Sequence, residues 1–190
     1  MAIEIEAKLK VDLLPAVEKK LKKLGAAFLR EIVQRDYYLD DAKASLTRTD
    51  RCLRLREEFT AKSSKAVLAY KGARERGRFK KRLEVQTEIS DAQSVRKMLA
   101  AIGYSEMLVY EKKRQLWVYG GCEICLDELP FLGKFVEIEG DSVKRIAKVQ
   151  KELGLSALPH IKESYATLME QRLRDLGNKK KEAFLKDQKR

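Results

Sequence analysis

Charged residues recur at every second position in several stretches of this chain. Glu4, Glu6 and Lys8 do so near the start, followed by Arg54 and Arg56, Arg82 and Glu84, Lys112 and Arg114, and Glu137 and Glu139. Lys71 and Asp127 hold matching places in two further stretches. A spacing of two puts side chains on one face of an extended strand. Clustered carboxylates are hard oxygen donors that suit Mg²⁺ or Mn²⁺, and a ring of arginine and lysine suits a polyphosphate. Burying such a mixture is costly unless a charged ligand and a cation complete the pairing. The chemistry these residues fit is therefore metal-assisted handling of a small-molecule triphosphate.

The elements that position them read as strands with an apolar second face. Ile3, Ile5, Ala7 and Leu9 alternate with Glu4, Glu6, Lys8 and Lys10; Leu53 and Leu55 with Arg54 and Arg56; Leu83 and Val85 with Arg82 and Glu84; Val136 and Ile138 with Glu137 and Glu139. Taken singly, each strand fits a half-buried sheet with its charged side in water. As a set, the polar positions are nearly all full charges of both signs, and arginine is preferred over lysine at 54, 56, 82 and 114. That preference suits bidentate phosphate or carboxylate contacts. A sheet closed into a barrel, with helices outside and the charged face lining the lumen, accounts for the set.

Four helical segments separate the strands. Leu13, Leu14, Val17, Leu21 and Leu24 share one face, with Asp12 as the expected cap, Pro15 in the first turn and Gly25 as the stop. Ser90 and Gln93 form a capping-box pattern before Val95, Met98, Leu99 and Ile102. A third helix is expected from about 141 to 153, and a fourth from about 163. Val17, Leu21, Leu24 and Gly25 match Val95, Leu99, Ile102 and Gly103 at a constant offset, which predicts two pseudo-symmetric strand–helix–strand halves. The expected fold is α+β, an eight-stranded antiparallel closed β-barrel flanked by helices. Residues 1–177 form one domain and 178–190 a basic, solvated tail.

Of 190 residues, 41 are Lys or Arg and 29 Asp or Glu, a net charge of +12. The excess is local, since residues 60–82 hold nine bases and one acid. No apolar run approaches the roughly 20 residues that span a bilayer, and no leader is evident, so a cytoplasmic protein without a membrane partner is expected. Cys122 and Cys125 form C-x-x-C within an alternating pattern that puts them on opposite faces, against a metal or redox role. His160 is the single histidine, which disfavours Ser-His-Asp catalysis. Glycine-rich phosphate loops are absent.

The ordered motifs resemble the CYTH superfamily, the triphosphate tunnel metalloenzymes. The marks are Glu4-Ile5-Glu6-Ala7-Lys8, Leu-Arg-Leu-Arg at 53–56, Tyr-Lys-Gly at 70–72, Arg-x-Glu at 82–84 and Lys-x-Arg at 112–114. Leu-Asp-Glu at 126–128, Leu-Gly-Lys-Phe-Val-Glu-Ile-Glu at 132–139 and Ser-Tyr at 164–165 complete them. The resemblance implies an eight-stranded tunnel with Glu4, Glu6 and Glu139 as ligands of Mg²⁺ or Mn²⁺ and with Asp127 and Glu137 in the same cluster. It further implies that Lys8, Arg54, Arg56, Lys71, Lys112 and Arg114 bind the triphosphate. Lys8, Arg54, Lys112 and Arg114 stand nearest the chemistry. Arg82 is a further candidate base, and Glu84 is either a metal ligand or a partner of Arg82.

Gln34, Asp36, Tyr38, Leu39 and Asp40 are most similar to the class IV adenylyl cyclase branch, which implies conversion of ATP to cyclic AMP and pyrophosphate. The alternative within the superfamily is an inorganic or thiamine triphosphatase. From a different class, the basic 60–82 stretch and the tail suit a polyphosphate- or nucleic-acid-binding protein. Against that reading, the stretch lacks interleaved aromatics and no nucleic-acid-reading motif is present, so a nucleic-acid partner is not favoured. The resemblance also allows a homodimer.

Overall fold

The computed structural model describes residues 5–73 and 83–186. Glu4, Arg82 and most of the dense part of the basic stretch, residues 74–82, lie outside the described residues. The elements in chain order are β1 (Ile5–Val11), α1 (Leu14–Lys23), β2 (Ala27–Asp41), β3 (Cys52–Phe59), β4 (Ser64–Lys71) and β5 (Glu84–Ile89). Then follow α2 (Ala92–Ala101), β6 (Tyr104–Tyr119), β7 (Cys122–Leu129), β8 (Gly133–Gly140), α3 (Val143–Glu152), α4 (Tyr165–Asp175) and β9 (Glu182–Ala183).

Eight strands form one antiparallel sheet in the order β1-β8-β7-β6-β2-β3-β4-β5. Exchanging β1 with β5, β2 with β6, β3 with β7 and β4 with β8 reproduces this order in reverse. The two halves are thus related by a pseudo-twofold between the long central strands β2 and β6, as the repeated helices predicted. Closure differs from expectation. β1 and β5 are the two ends of the path and are not paired with each other among the described residues. The fold seen is an open antiparallel sheet rather than a closed barrel. β5 is exposed along nearly its whole length, and its Val85 and the preceding Leu83 are uncovered.

The alternating pattern is expressed as two faces. On the outer face, Ala7, Leu9, Ile124, Leu126, Val136 and Ile138 pack under α1 and α3 through Val17, Leu21, Ile146, Val149 and Leu153. Tyr37, Leu39, Leu55 and Val109 pack under α2 through Val95 and Leu99. The charged residues occupy the inner face. There α4 covers one end, where Tyr165, Met169 and Leu173 pack on Leu108, Tyr110, Leu129 and Phe135.

Local signals were read with two displacements. Ser142 and Ser164 cap α3 and α4, and Gly25 ends α1 at φ +74°, a conformation that glycine adopts without strain. Asp91 rather than Ser90 caps α2, accepting from the Ser94 amide. Asp12 does not cap α1, whose N-cap position is Leu13 and carries no side-chain bond. The segment from Asn178, expected as a solvated tail, instead pairs parallel to β6 through Glu182 and Ala183, and Ala183 is buried. β6 has room there because β7 pairs only with its Lys113–Tyr119 part. Among the described residues, no helix is long and apolar enough to cross a membrane.

Candidate active site

Register builds the inner face row by row. Lys8 of β1 stands opposite Glu137 of β8, which stands opposite Cys125 of β7. Asp127 of β7 stands opposite Arg114 of β6. On β2, Gln34 lies between Lys112 of β6 and Glu58 of β3, and Asp36 stands opposite Arg56.

Two arginine–aspartate forks result, one in each half. Arg56 donates from Nε and Nη2 to the two carboxylate oxygens of Asp36 at 2.6 and 2.7 Å. Arg114 donates from Nε and Nη2 to Asp127 at 2.6 and 2.5 Å, and its Nη2 also meets Glu137. Bidentate pairing of this kind fixes the guanidinium plane as well as its charge. Both aspartates are fully buried. Burial alone would raise Asp36, but Arg56, helped by Arg54 and Lys112, holds its carboxyl well below the usual range. Asp127 is likewise lowered against the effect of burial, by Arg114 and Lys112.

The remaining bases differ in how they are matched. Lys8 lies 3.2 Å from Glu6 and 3.3 Å from Glu137 and donates to the Glu163 carbonyl at 3.0 Å. Lys71 pairs with Glu84 at 2.8 Å, so Glu84 has a lysine of β4 as one partner, while Arg82 lies outside the described residues. Lys112 is buried, and among the described residues its nearest carboxylate oxygen, on Asp127, is 4.0 Å away. Burial and then the guanidinium of Arg114 push its ammonium down to about 8. Arg54 has a buried Nε with no hydrogen-bond partner, and so does Oε1 of Gln34, whose amide nitrogen donates to Glu58 at 2.6 Å. Arg54 and Arg56 line a cavity of about 310 Å³ together with Glu58, Lys65, Val67 and Gln86.

Carboxylates gather on the β1–β8 side. Glu6 stands opposite Glu139, and Glu139 opposite Glu123. Glu6 is raised above its ordinary value, first by burial and then by the charge of Glu137. Among the described residues, no three His, Cys, Asp or Glu side chains already form a group that could hold a metal ion. The donor set nevertheless fits a hard divalent cation. It is all oxygen, and a cation would offset both the burial and the repulsion from Glu137 that raise Glu6.

A family model described as the CYTH domain matches residues 2–165. The chain belongs to the CYTH family. This CYTH chain is 29% identical over 175 residues to a protein of Methanocaldococcus jannaschii provisionally named an adenylate cyclase, covering 87% of this chain and 98% of that one. A solved Pyrococcus horikoshii structure superposes with a TM-score of 0.73 at 28% identity, covering 89% of this chain and 99% of that one. A Hippeastrum protein provisionally named an adenylyl cyclase, and described as having a dominant triphosphatase activity, has a TM-score of 0.65 at 19% identity, covering 88% and 95%.

In this CYTH chain the structure brings Lys8, Arg54, Arg56, Lys112, Arg114, Asp127 and Glu137 onto one face, with Glu6 and Glu139 at its acidic side. Lys71 and Glu84 share this face by register but lie toward its β4–β5 edge. Asp127, grouped with the metal ligands by resemblance, has its oxygens engaged by Arg114 and by the Tyr165 hydroxyl at 2.9 Å. Sequence reasoning left the role of Asp36 open; it is the twin of Asp127. Glu58 and Glu123 were missed, although their places in alternating stretches are a usable signal. Tyr38 stacks on Tyr110 with ring centroids 5.8 Å apart, and Trp117 is buried in the outer core. Cys122 lies in that same core, whereas Cys125 joins Ile32 and Leu116 on the inner face.

Proposed function

We propose that this chain is a metal-dependent enzyme that binds a nucleoside triphosphate along the charged inner face and acts as a class IV-type adenylyl cyclase, forming cyclic AMP and pyrophosphate. The observation that carries the reading is positive charge that the described carboxylates match only loosely. Lys112 is buried 4.0 Å from its nearest described carboxylate, and Arg54 holds a buried Nε without a partner. A buried ammonium and a buried guanidinium N–H in that state are stabilised by an anion that brings several oxygens at once. The name carried by the M. jannaschii relative supports the nucleotide reading.

In this reading Lys112 and Arg54 take phosphate oxygens directly. The Asp36 and Asp127 forks use Nε and Nη2 of Arg56 and Arg114 and present the rest of each guanidinium to the ligand. Lys8, poised between Glu6 and Glu137, neutralises charge at the boundary of the basic and acidic sides. Glu6, Glu137 and Glu139, with Glu4 beyond the described residues, would hold Mg²⁺ or Mn²⁺. That ion, when bound, neutralises phosphate oxygens and the charge of the departing pyrophosphate. The ribose 3′-oxygen attacks the α-phosphorus, and the bond from that phosphorus to the bridging oxygen of pyrophosphate breaks.

A triphosphatase is the second reading. Among the described residues the cavity beside Arg54 is lined by charged and polar side chains and Val67, a set of bases that suits a phosphate chain whether or not a nucleoside is attached. Product analysis with Mg²⁺ or Mn²⁺ separates the two, offering ATP, tripolyphosphate and thiamine triphosphate in turn. Cyclic AMP and pyrophosphate are expected from ATP, and none from the Glu6→Gln variant. Orthophosphate from tripolyphosphate or thiamine triphosphate, without cyclic AMP, would replace the cyclase by the hydrolase.

A further inference from the structure

Tyr165 is the first residue of α4, and it reaches the centre of the inner face from a helix rather than from the sheet. It is buried, with 6% of its surface exposed. Its hydroxyl donates to Oδ2 of Asp127 at 2.9 Å, the oxygen that also accepts Nη2 of Arg114. Its ring carries the ammonium of Lys8 at 4.5 Å from the centroid and that of Lys112 at 5.1 Å. Lys8 and Lys112 belong to β1 and β6, which are three strands apart in the sheet, so the ring bridges bases that no strand pairing joins. The ring itself is held edge-on by Phe135, with centroids 5.2 Å apart.

The segment before α4 reinforces this arrangement. The Ile161 amide donates to the Lys8 carbonyl at 2.8 Å, Leu9 bridges His160, and the Glu163 carbonyl accepts from Lys8 Nζ. The backbone and the ammonium of Lys8 are thus both tied to residues 160–165. Ser164 caps α4 and so sets where the helix begins and where Tyr165 points.

We infer that Tyr165 is a positioning residue that sets three of the cations of the phosphate site: Lys8 and Lys112 through its ring face, and Arg114 through the hydrogen bond to Asp127. The inference rests on the triphosphate reading for its functional meaning, but not for its geometry. An ammonium over a desolvated aromatic face is attracted by the ring's negative face, and this adds no further carboxylate to Lys8, already between Glu6 and Glu137, or to Lys112. Tyr165 thereby holds two buried lysines in place while leaving them positive. A third and fourth buried acid would hold them too, at the expense of affinity for an anion.

Two readouts test this. In the ligand-free protein, trace acetylation resolved by peptide mass spectrometry is expected to label Lys8 and Lys112 far more slowly than exposed Lys22. Tyr165→Leu should speed both several-fold, and Tyr165→Phe should not. By calorimetry, Tyr165→Leu should weaken tripolyphosphate binding by about tenfold or more, and Tyr165→Phe by less than about threefold. Leu173→Ala, a change in the same helix and the same apolar cluster without contact to the cations, serves as the control and should leave both readouts near wild type below its melting temperature. Unchanged lysine labelling in Tyr165→Leu overturns the inference, as does an equal effect of Leu173→Ala. Labelling that responds as stated in a protein that does not bind tripolyphosphate would retain the positioning role and reject the triphosphate reading.

Discussion

Asp36 and Arg56 face each other across β2 and β3 through two parallel hydrogen bonds of 2.6 and 2.7 Å, with the carboxylate fully buried. Asp127 and Arg114 repeat the arrangement on β7 and β6, near the other side of the pseudo-twofold. Each half of the molecule therefore supplies the inner face with one guanidinium aimed by a buried carboxylate, and Arg54 adds another in the first half.

Removing one partner of such a pair leaves the other buried and uncompensated. Asp36→Asn is expected to destabilise the fold by about 3–5 kcal/mol, measured by urea denaturation at neutral pH. The acid limb follows from the direction of the shift. A carboxyl whose folded value is depressed contributes stability above its unfolded value of about 3.9, and loses it as pH falls below that value toward the folded one. The wild type should lose stability steeply below about pH 4, and Asp36→Asn should show a shallower acid limb.

Arg54 predicts the opposite balance. Its buried Nε has no partner in the ligand-free fold, and an unsatisfied buried donor costs about 1–3 kcal/mol. Arg54→Met should therefore leave the melting temperature unchanged or higher while weakening tripolyphosphate binding by at least about tenfold. Calorimetry and a thermal melt on the same samples check both halves of the statement.

The ammonium of Lys112 is pushed down to about 8, which gives anion binding an alkaline limb. As pH rises through about 8 the free protein loses this charge, so tripolyphosphate affinity should fall from pH 7 to pH 9, and Lys112→Met should bind weakly with a flatter profile. Stability moves the other way. Between about 8 and about 10.4 the unfolded chain binds the extra proton, so the Lys112 contribution to folding stability rises with pH. Titration calorimetry and denaturation across the same pH range read the two signs separately.

The C-terminal segment should matter to the fold rather than to charge. Ala183 is buried against β6, the Leu185 amide donates to Glu111 at 3.1 Å, and Arg35, itself paired with Glu111, lies 5.6 Å from the Phe184 ring. Ending the chain after Gly177 is expected to cost about 1–3 kcal/mol by denaturant unfolding. A tail that is merely solvated would cost nothing.

Alternation at period two was enough to assign nearly every charged residue of the site to one face and every apolar partner to the other. That rule is local and owes nothing to pairing. The matching helices likewise revealed the two halves, since a repeated apolar period and a glycine stop are carried by contiguous residues. Glu58 and Glu123 show where this kind of reading stops, because an acid at an alternating position joins a site only if its strand has the right neighbour.

The sequence by itself determined the strand faces, the helix stops, the mixture of hard acids and bases and, through ordered motifs, membership of the CYTH family. Tertiary structure alone decided which aspartate aims which arginine, that β1 and β5 end the sheet without pairing among the described residues, that residues 182–183 join β6, and that a helical tyrosine gathers lysines from strands three apart. The reason is one of range. Side-chain direction along a strand follows from steric rules within a few residues, whereas pairing depends on register and chain return, which bring residues dozens of positions apart within a few ångströms.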